Sequence, residues 1–75
     1  MEILGEATFV KNYSGHSALK NLTISKKYLI TKRYSRAKYR EYNPKLMDGF
    51  EIIKDNGESE IYFSYQMFNV NWFNQ

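Results

Sequence analysis

The densest run of side chains able to do chemistry is Lys32-Arg33-Tyr34-Ser35-Arg36-Ala37-Lys38-Tyr39-Arg40-Glu41-Tyr42, where three tyrosines alternate with five cations. Cations neutralise phosphates and release their counterions, and aromatic faces stack on bases, so this mixture suits nucleic acid. The same charges suit an acidic protein surface, and sequence does not separate the two partners. A third reading is a solvated loop whose tyrosines cover the edge of the fold while the cations stay in water. Arginine is the informative type, because its planar fork pairs bidentately with phosphate or carboxylate. The binding residues expected here are Lys32, Arg33, Tyr34, Arg36, Lys38, Tyr39, Arg40 and Tyr42.

A second concentration is aromatic: Tyr62, Phe63, Tyr65, Phe68, Trp72 and Phe73. Strand alternation places Ile61 and Phe63 inward, with Tyr65 next in phase, and turns Tyr62 outward. Most of these rings are expected to fill a core. Any left exposed would make a hot spot or a peptide groove. Trp72, near the C-terminal end, is the ring expected to stay partly exposed for a dimer or partner contact.

Other candidate groups read as structural. His16 stands alone in a Ser/Gly turn with no carboxylate near it in sequence, as an exposed turn residue would. Asp48, Glu51, Asp55, Glu58 and Glu60 could in principle pair for acid/base work or hold a cation. Their turn-flanking positions match the solvated face of a hairpin. No phosphate-cradling glycine loop, nucleophile elbow or metal-ligand spacing is present. One histidine and no cysteine leave out the usual zinc sites and any disulfide. No catalysis, cofactor or metal is expected.

The net charge of +3 conceals an asymmetry. Residues 26–47 hold eight of the eleven cations against one acid, a local charge of +7, and the remaining three cations against seven acids give −4. Such segregation produces a local field that steers anionic partners. The longest uncharged run, Ile61 to Gln75, has fifteen residues and is broken by serine, glutamine and asparagine, which is too short and polar for a bilayer-spanning helix. The beginning Met1-Glu2-Ile3-Leu4-Gly5-Glu6 has no secretory pattern, so a cytoplasmic protein with no membrane partner is expected.

The elements that must position these groups are short. At 75 residues the chain is read as a single domain, 1–75, with a thin core. Few alanines and many aromatic and β-branched residues favour strands over helices. Strands are expected at Glu6–Tyr13 (Ala7 and Phe9 on one face), at Tyr28–Tyr34 (Tyr28 and Ile30 on one face; Leu29, Thr31 and Arg33 on the other), and at Asn69–Phe73 after a tight turn over Gln66-Met67-Phe68. Leu22–Ser25 reads as a short extended entry. Gly49–Lys54 and Ser59–Tyr65 flank Asp55-Asn56-Gly57-Glu58. Asn-Gly between apolar runs signals a hairpin with positive φ at both central residues. Between them Ser35–Met47, with the chain's single proline, reads as a loop with a helical turn running from an Ser35 N-cap to a stop at Asn43-Pro44.

Three stretches then stand in a recognisable order: Leu22-Thr23-Ile24-Ser25-Lys26-Lys27-Tyr28-Leu29-Ile30, Phe50-Glu51-Ile52-Ile53-Lys54-Asp55-Asn56-Gly57-Glu58, and Ile61-Tyr62-Phe63-Ser64-Tyr65-Gln66-Met67-Phe68-Asn69-Val70. Covering about half the chain, they resemble the pattern of short phage and prophage proteins with an SH3-like barrel. The resemblance implies a mostly-β fold, a small five-stranded antiparallel SH3-like barrel with a long basic loop, and a phage-like origin. It transfers no active site. Ser25 stands where that pattern has glycine, which is tolerable if the turn needs no positive φ. The connection from Tyr34 to Gly49 is longer and more basic than the pattern's short link. The expected function is a non-enzymatic binding protein that modulates a host macromolecule, either a protein with an acidic surface or, alternatively, nucleic acid bound directly.

Overall fold

Apolar side chains two residues apart, many of them aromatic or β-branched, build five strands: β1 Gly5–Phe9, β2 Lys27–Tyr34, β3 Gly49–Ile53, β4 Ser59–Tyr62 and β5 Phe68–Trp72. The structure, a computed structural model, describes residues 2–11, 15, 17–63 and 65–73. His16 and the far end of the expected first strand at Tyr13 lie outside the described residues. All pairings are antiparallel within one sheet of order β4-β3-β2-β1-β5. The mostly-β class and the five antiparallel strands are therefore as expected. Helical structure among the described residues is confined to 3-10 turns at Ser17–Leu19 and Ala37–Glu41. The terminal strands β4 and β5 do not pair with each other, so the sheet is open.

One face of the sheet carries the core: Ala7 and Phe9 from β1, Tyr28 and Ile30 from β2, Phe50 and Ile52 from β3, Tyr62 from β4 and Phe68 from β5, closed by Leu19. The sheet bends far enough for rings from its two ends to meet. Tyr62 and Phe68 have centroids 4.9 Å apart, and Phe50 meets Phe68 edge-on at 5.2 Å. Such pairs contribute about 0.5–1.5 kcal/mol beyond their area, which matters where aliphatic bulk is scarce.

The β3–β4 connection departs from the expected two-residue turn. The Gly57 N–H donates to the Lys54 carbonyl (2.9 Å) and the Lys54 N–H to the Glu58 carbonyl (2.8 Å), enclosing Asp55, Asn56 and Gly57. Only Gly57 takes positive φ, at 85°, so this is a three-residue hairpin with a glycine bulge, and Asn56 instead accepts the Glu58 N–H on its side chain. The closure sets the phase of β4. Ile52 lies opposite Glu60 and Phe50 opposite Tyr62, so Tyr62 turns inward at 7% exposure while Ile61 (42%) and Phe63 (48%) face out. This reverses the expected alternation, because a one-residue change in loop length moves every side chain of a strand to the other face.

A second departure concerns Ser25. The Lys26 N–H returns to the Thr23 carbonyl at 3.1 Å, and Ser25 within that turn has φ 71°. The turn does require the left-handed region, so serine sits in a place suited to glycine. No helix among the described residues is long and apolar enough to cross a membrane.

Candidate binding surface

The basic segment is aimed by a bulge in β2. Ile30 lies opposite Ile52, but the next paired residue, Lys32, lies opposite Glu51, so Thr31 is an extra residue. Its hydroxyl donates to the Glu51 carbonyl at 3.3 Å. The bulge reverses the alternation that follows it. Arg33 stands opposite the buried Phe50, on the core face, and not beside Leu29 as strict alternation requires.

On that face Arg33 meets Asp48 and Trp72. Its Nε donates to Asp48 Oδ2 at 2.7 Å, and its guanidinium carbon lies 4.2 Å from the Trp72 ring centroid. The Trp72 Nε1–H donates to the Tyr65 hydroxyl (3.1 Å), which donates to the Asp48 carbonyl (3.0 Å). These contacts close a circuit through Asp48, Arg33, Trp72 and Tyr65, joining the basic segment to β5. Trp72 is half-buried, in keeping with the expected partial exposure, and one face of its ring is covered by an arginine, so it also braces the fold from within. Burial pushes the Tyr65 hydroxyl above its ordinary range, with the Trp72 hydrogen bond opposing.

Asp48 is the hub that sequence reading missed. It is 5% exposed, not part of a solvated hairpin face. Its carboxylate accepts from Arg33, from the Arg36 backbone N–H (3.0 Å) and from Arg40 Nη2. Burial alone would raise its pKa; the Arg36 N–H and the two guanidinium groups outweigh that and hold it at about 2. Two further bonds fasten the same arginines to main chain: Arg36 Nε to the Met47 carbonyl (2.6 Å) and Arg40 Nε to the Leu46 carbonyl (2.8 Å). The sequence signal was an acid placed just before a strand and at the end of the cation-rich segment 26–47.

The loop on this hub contains the expected helical turn as 3-10 structure over Ala37–Glu41. Arg36, not Ser35, occupies the N-cap position and makes no side-chain cap, while the Ser35 hydroxyl accepts the Ala37 N–H at 3.3 Å. The Tyr42 and Asn43 N–H groups both return to the Tyr39 carbonyl, and Pro44 follows where the turn ends. Tyr39 and Tyr42 project from this turn at 50% and 86% exposure. The Lys38 ammonium lies 5.3 Å from the Tyr39 ring centroid, and Lys32 is exposed on the outer face of β2. Tyr34 is half-buried at the end of β2, opposite Gly49.

Phe63 adds an aromatic face that the sequence reading had assigned to the core. It stands against Gly49, where a Cβ would lie 2.3 Å from the ring, and the Arg36 guanidinium carbon is 4.8 Å from its centroid. The nine residues singled out in sequence therefore divide. Arg33, Arg40 and Trp72 build the scaffold; Lys32, Lys38, Tyr39 and Tyr42 are presented outward; Tyr34 covers an end of the sheet; Arg36 serves both purposes.

Among the described residues no group of three or more His, Asp or Glu side chains is arranged to hold a metal ion. A groove of about 240 Å³ lies on the outer face between Ile3, Leu29 and Ile53. Its two lysines face carboxylates, Lys26 at 2.5 Å from Asp55 and Lys27 at 3.6 Å from Glu6. Comparison with known proteins found no matching family model, no matching curated protein and no matching solved structure.

Proposed function

We propose that this chain is a non-enzymatic binding protein that docks an acidic surface of another protein through the loop between β2 and β3. The observation carrying this reading is the braced presentation of Tyr39 and Tyr42. Their 3-10 turn is fixed to buried Asp48 through Arg40 and the Arg36 N–H, with Arg33 of β2 on the same carboxylate, while both rings are exposed. A braced backbone beneath an aromatic pair loses little conformational freedom on binding, which favours affinity. Lys38 beside Tyr39, with Lys45 in the same loop and Lys32 on β2, all exposed, supply long-range attraction to an acidic partner.

Protein is favoured over nucleic acid because Arg33 and Arg40 already hold Asp48, which reduces the cation supply available to phosphates. Exposed Tyr, Phe and Met beside arginine also match the composition of protein interfaces. The resemblance to short phage and prophage proteins would make the partner a host macromolecule and the effect modulatory. We also read the bent sheet as an SH3-like barrel. Its support is the strand order, with β5 returning beside β1, and the ring contact between Tyr62 and Phe68 across the open ends.

The test is affinity capture from a bacterial lysate with the wild-type chain and a Lys38→Glu/Tyr42→Ala variant as paired baits, alongside oligonucleotide titration over a salt series. Partners lost with the variant and absence of oligonucleotide binding at low salt support the reading. Equal capture by both baits, or tight salt-dependent oligonucleotide binding, overturns it.

A further inference from the structure

Resting on that reading, we propose that Arg36, Phe63 and Met47 form the anchor of the interface and receive a partner segment in which an acidic residue stands next to an apolar one. Arg36 differs from the other two loop arginines in what its fork is left to do. Arg33 and Arg40 each contact the Asp48 carboxylate through a side-chain nitrogen, whereas Arg36 reaches Asp48 only through its backbone N–H. Its Nε is held by the Met47 carbonyl, and no acceptor among the described residues meets its terminal nitrogens. The guanidinium is held from two sides, by that carbonyl and by the Phe63 ring. A fork fixed in this way is prepared for a carboxylate.

The apolar half of the anchor is equally specific. Phe63 is 48% exposed and Met47 46% exposed, although both belong to types usually buried. Phe63 is seated rather than loose, because Gly49 leaves the space its ring occupies. Charge complementarity selects the occupant. The surrounding segment carries Lys32, Arg33, Lys38, Arg40 and Lys45 against Glu41 and Asp48, so an apolar segment without acids gains nothing from this field and one with acids does. A phosphate backbone would fill the arginine fork but leave the Met47 side chain without an apolar counterpart.

The experiment is an amide-resonance titration of the intact chain with four probes: a synthetic peptide alternating aspartate and leucine, an all-glutamate peptide of equal length, an uncharged serine–leucine peptide, and oligothymidylate. The aspartate–leucine peptide is expected to bind most tightly, to move the resonances of Arg36, Met47, Gly49 and Phe63, and to weaken at least about fivefold with Arg36→Gln, Met47→Ser or Phe63→Ser. Thermal melts of the three variants separate lost binding from lost folding, and Met47→Ser removes no packing from the core. Equal affinity for the two acidic peptides, unchanged by the three substitutions, overturns the anchor and leaves the acidic-surface reading standing. No response to either acidic peptide overturns both, as does preference for oligothymidylate. Tightest binding of the uncharged peptide overturns the role of Arg36.

Discussion

Arg33 and Trp72, thirty-nine positions apart in sequence, stack with the guanidinium carbon 4.2 Å from the indole centroid. The pair joins the start of the basic segment to the last strand. Because Trp72 is the chain's single tryptophan, its emission reports on the surroundings of this one indole. Arg33→Gln is expected to shift the emission and to lower stability by about 1–2 kcal/mol, since a partly desolvated cation–π contact and a charge-assisted hydrogen bond are both lost. Arg33→Lys should recover only part of this, lacking the planar face. An emission spectrum identical to wild type in Arg33→Gln would show that the stack does not form in solution.

Asp48 is expected to govern the loop more than any exposed cation. Asp48→Ala leaves two arginines and a backbone N–H without their shared acceptor. Both arginine side chains keep more than a third of their surface, at 40% and 35%, so water offsets part of the loss. The expected cost is about 2 kcal/mol, below that of breaking a fully buried pair. Hydrogen exchange at the Arg36 amide should accelerate while exchange at Ile30 and Ile52 follows global stability. Unchanged protection at Arg36 would remove Asp48 from its place as hub.

Ser25→Gly should stabilise the chain. Serine at φ 71° bears a steric cost that glycine does not, partly offset by the greater freedom of glycine in the unfolded chain. A gain of about 0.5–1 kcal/mol, read as a higher urea midpoint with unchanged slope, is expected. A lower midpoint would mean that the turn does not adopt this conformation.

Stability should form a plateau bounded by identifiable groups. Asp48 is held at about 2 against an ordinary 3.8, so its contribution is complete above that ordinary value and disappears as pH falls from about 4 to 2. Asp55 acts in the same direction, held down by Lys26 and Thr23, with a smaller effect because it is exposed. On the alkaline side burial, then the charges of Glu60 and Tyr28, push Tyr62 from 10.0 up to about 12. That contribution is complete below pH 10 and is lost as pH rises towards 12. Urea midpoints across this range should flatten on the acid limb in Asp48→Asn and on the alkaline limb in Tyr62→Phe. A wild-type acid limb in Asp48→Asn would assign that transition to other carboxylates.

Tyr42→Ala should separate binding from folding. At 86% exposure the ring contributes little to packing, and the melting temperature should stay within the change expected of about 0.5 kcal/mol. Affinity for the captured partner should fall about tenfold, as for an aromatic hot spot. A large drop in melting temperature would show that Tyr42 packs, and unchanged affinity would remove it from the interface.

The strands were legible because their signals are local: Ala7 and Phe9, Tyr28 and Ile30, Phe50 and Ile52 each sit two apart and each pair is buried. What misled was parity. Ile61 and Phe63 are as apolar as Tyr62, so composition alone could not say which set faces inward. The answer depends on the loop at Gly57, where Asn56 does not take the positive φ that an Asn-Gly pair invites. The same blindness applied to Arg33, since nothing in Tyr28–Tyr34 marks Thr31 as an extra residue. The basic-aromatic run was visible by type, but its internal division was not. A carboxylate six residues beyond Tyr42 decides which cations are held, and that is a tertiary fact.

The extra residue at Thr31 makes the segment beyond it sensitive to counting. A strand that kept all its residues but straightened the bulge, with Thr31 opposite Glu51, would keep its composition, charge and hairpin, yet would swing Arg33 to the side where Leu29 lies, away from Asp48 and Trp72. The basic segment would then keep its charges and lose its frame. Substitutions along the outward side of the loop leave that frame intact, so its recognition residues are free to diversify, whereas a change that turns Arg33 off the face of Ile30 is not tolerated. Lineages of this chain should therefore vary in letters at Lys38, Tyr39 and Tyr42 while keeping Arg33 on the face of Ile30.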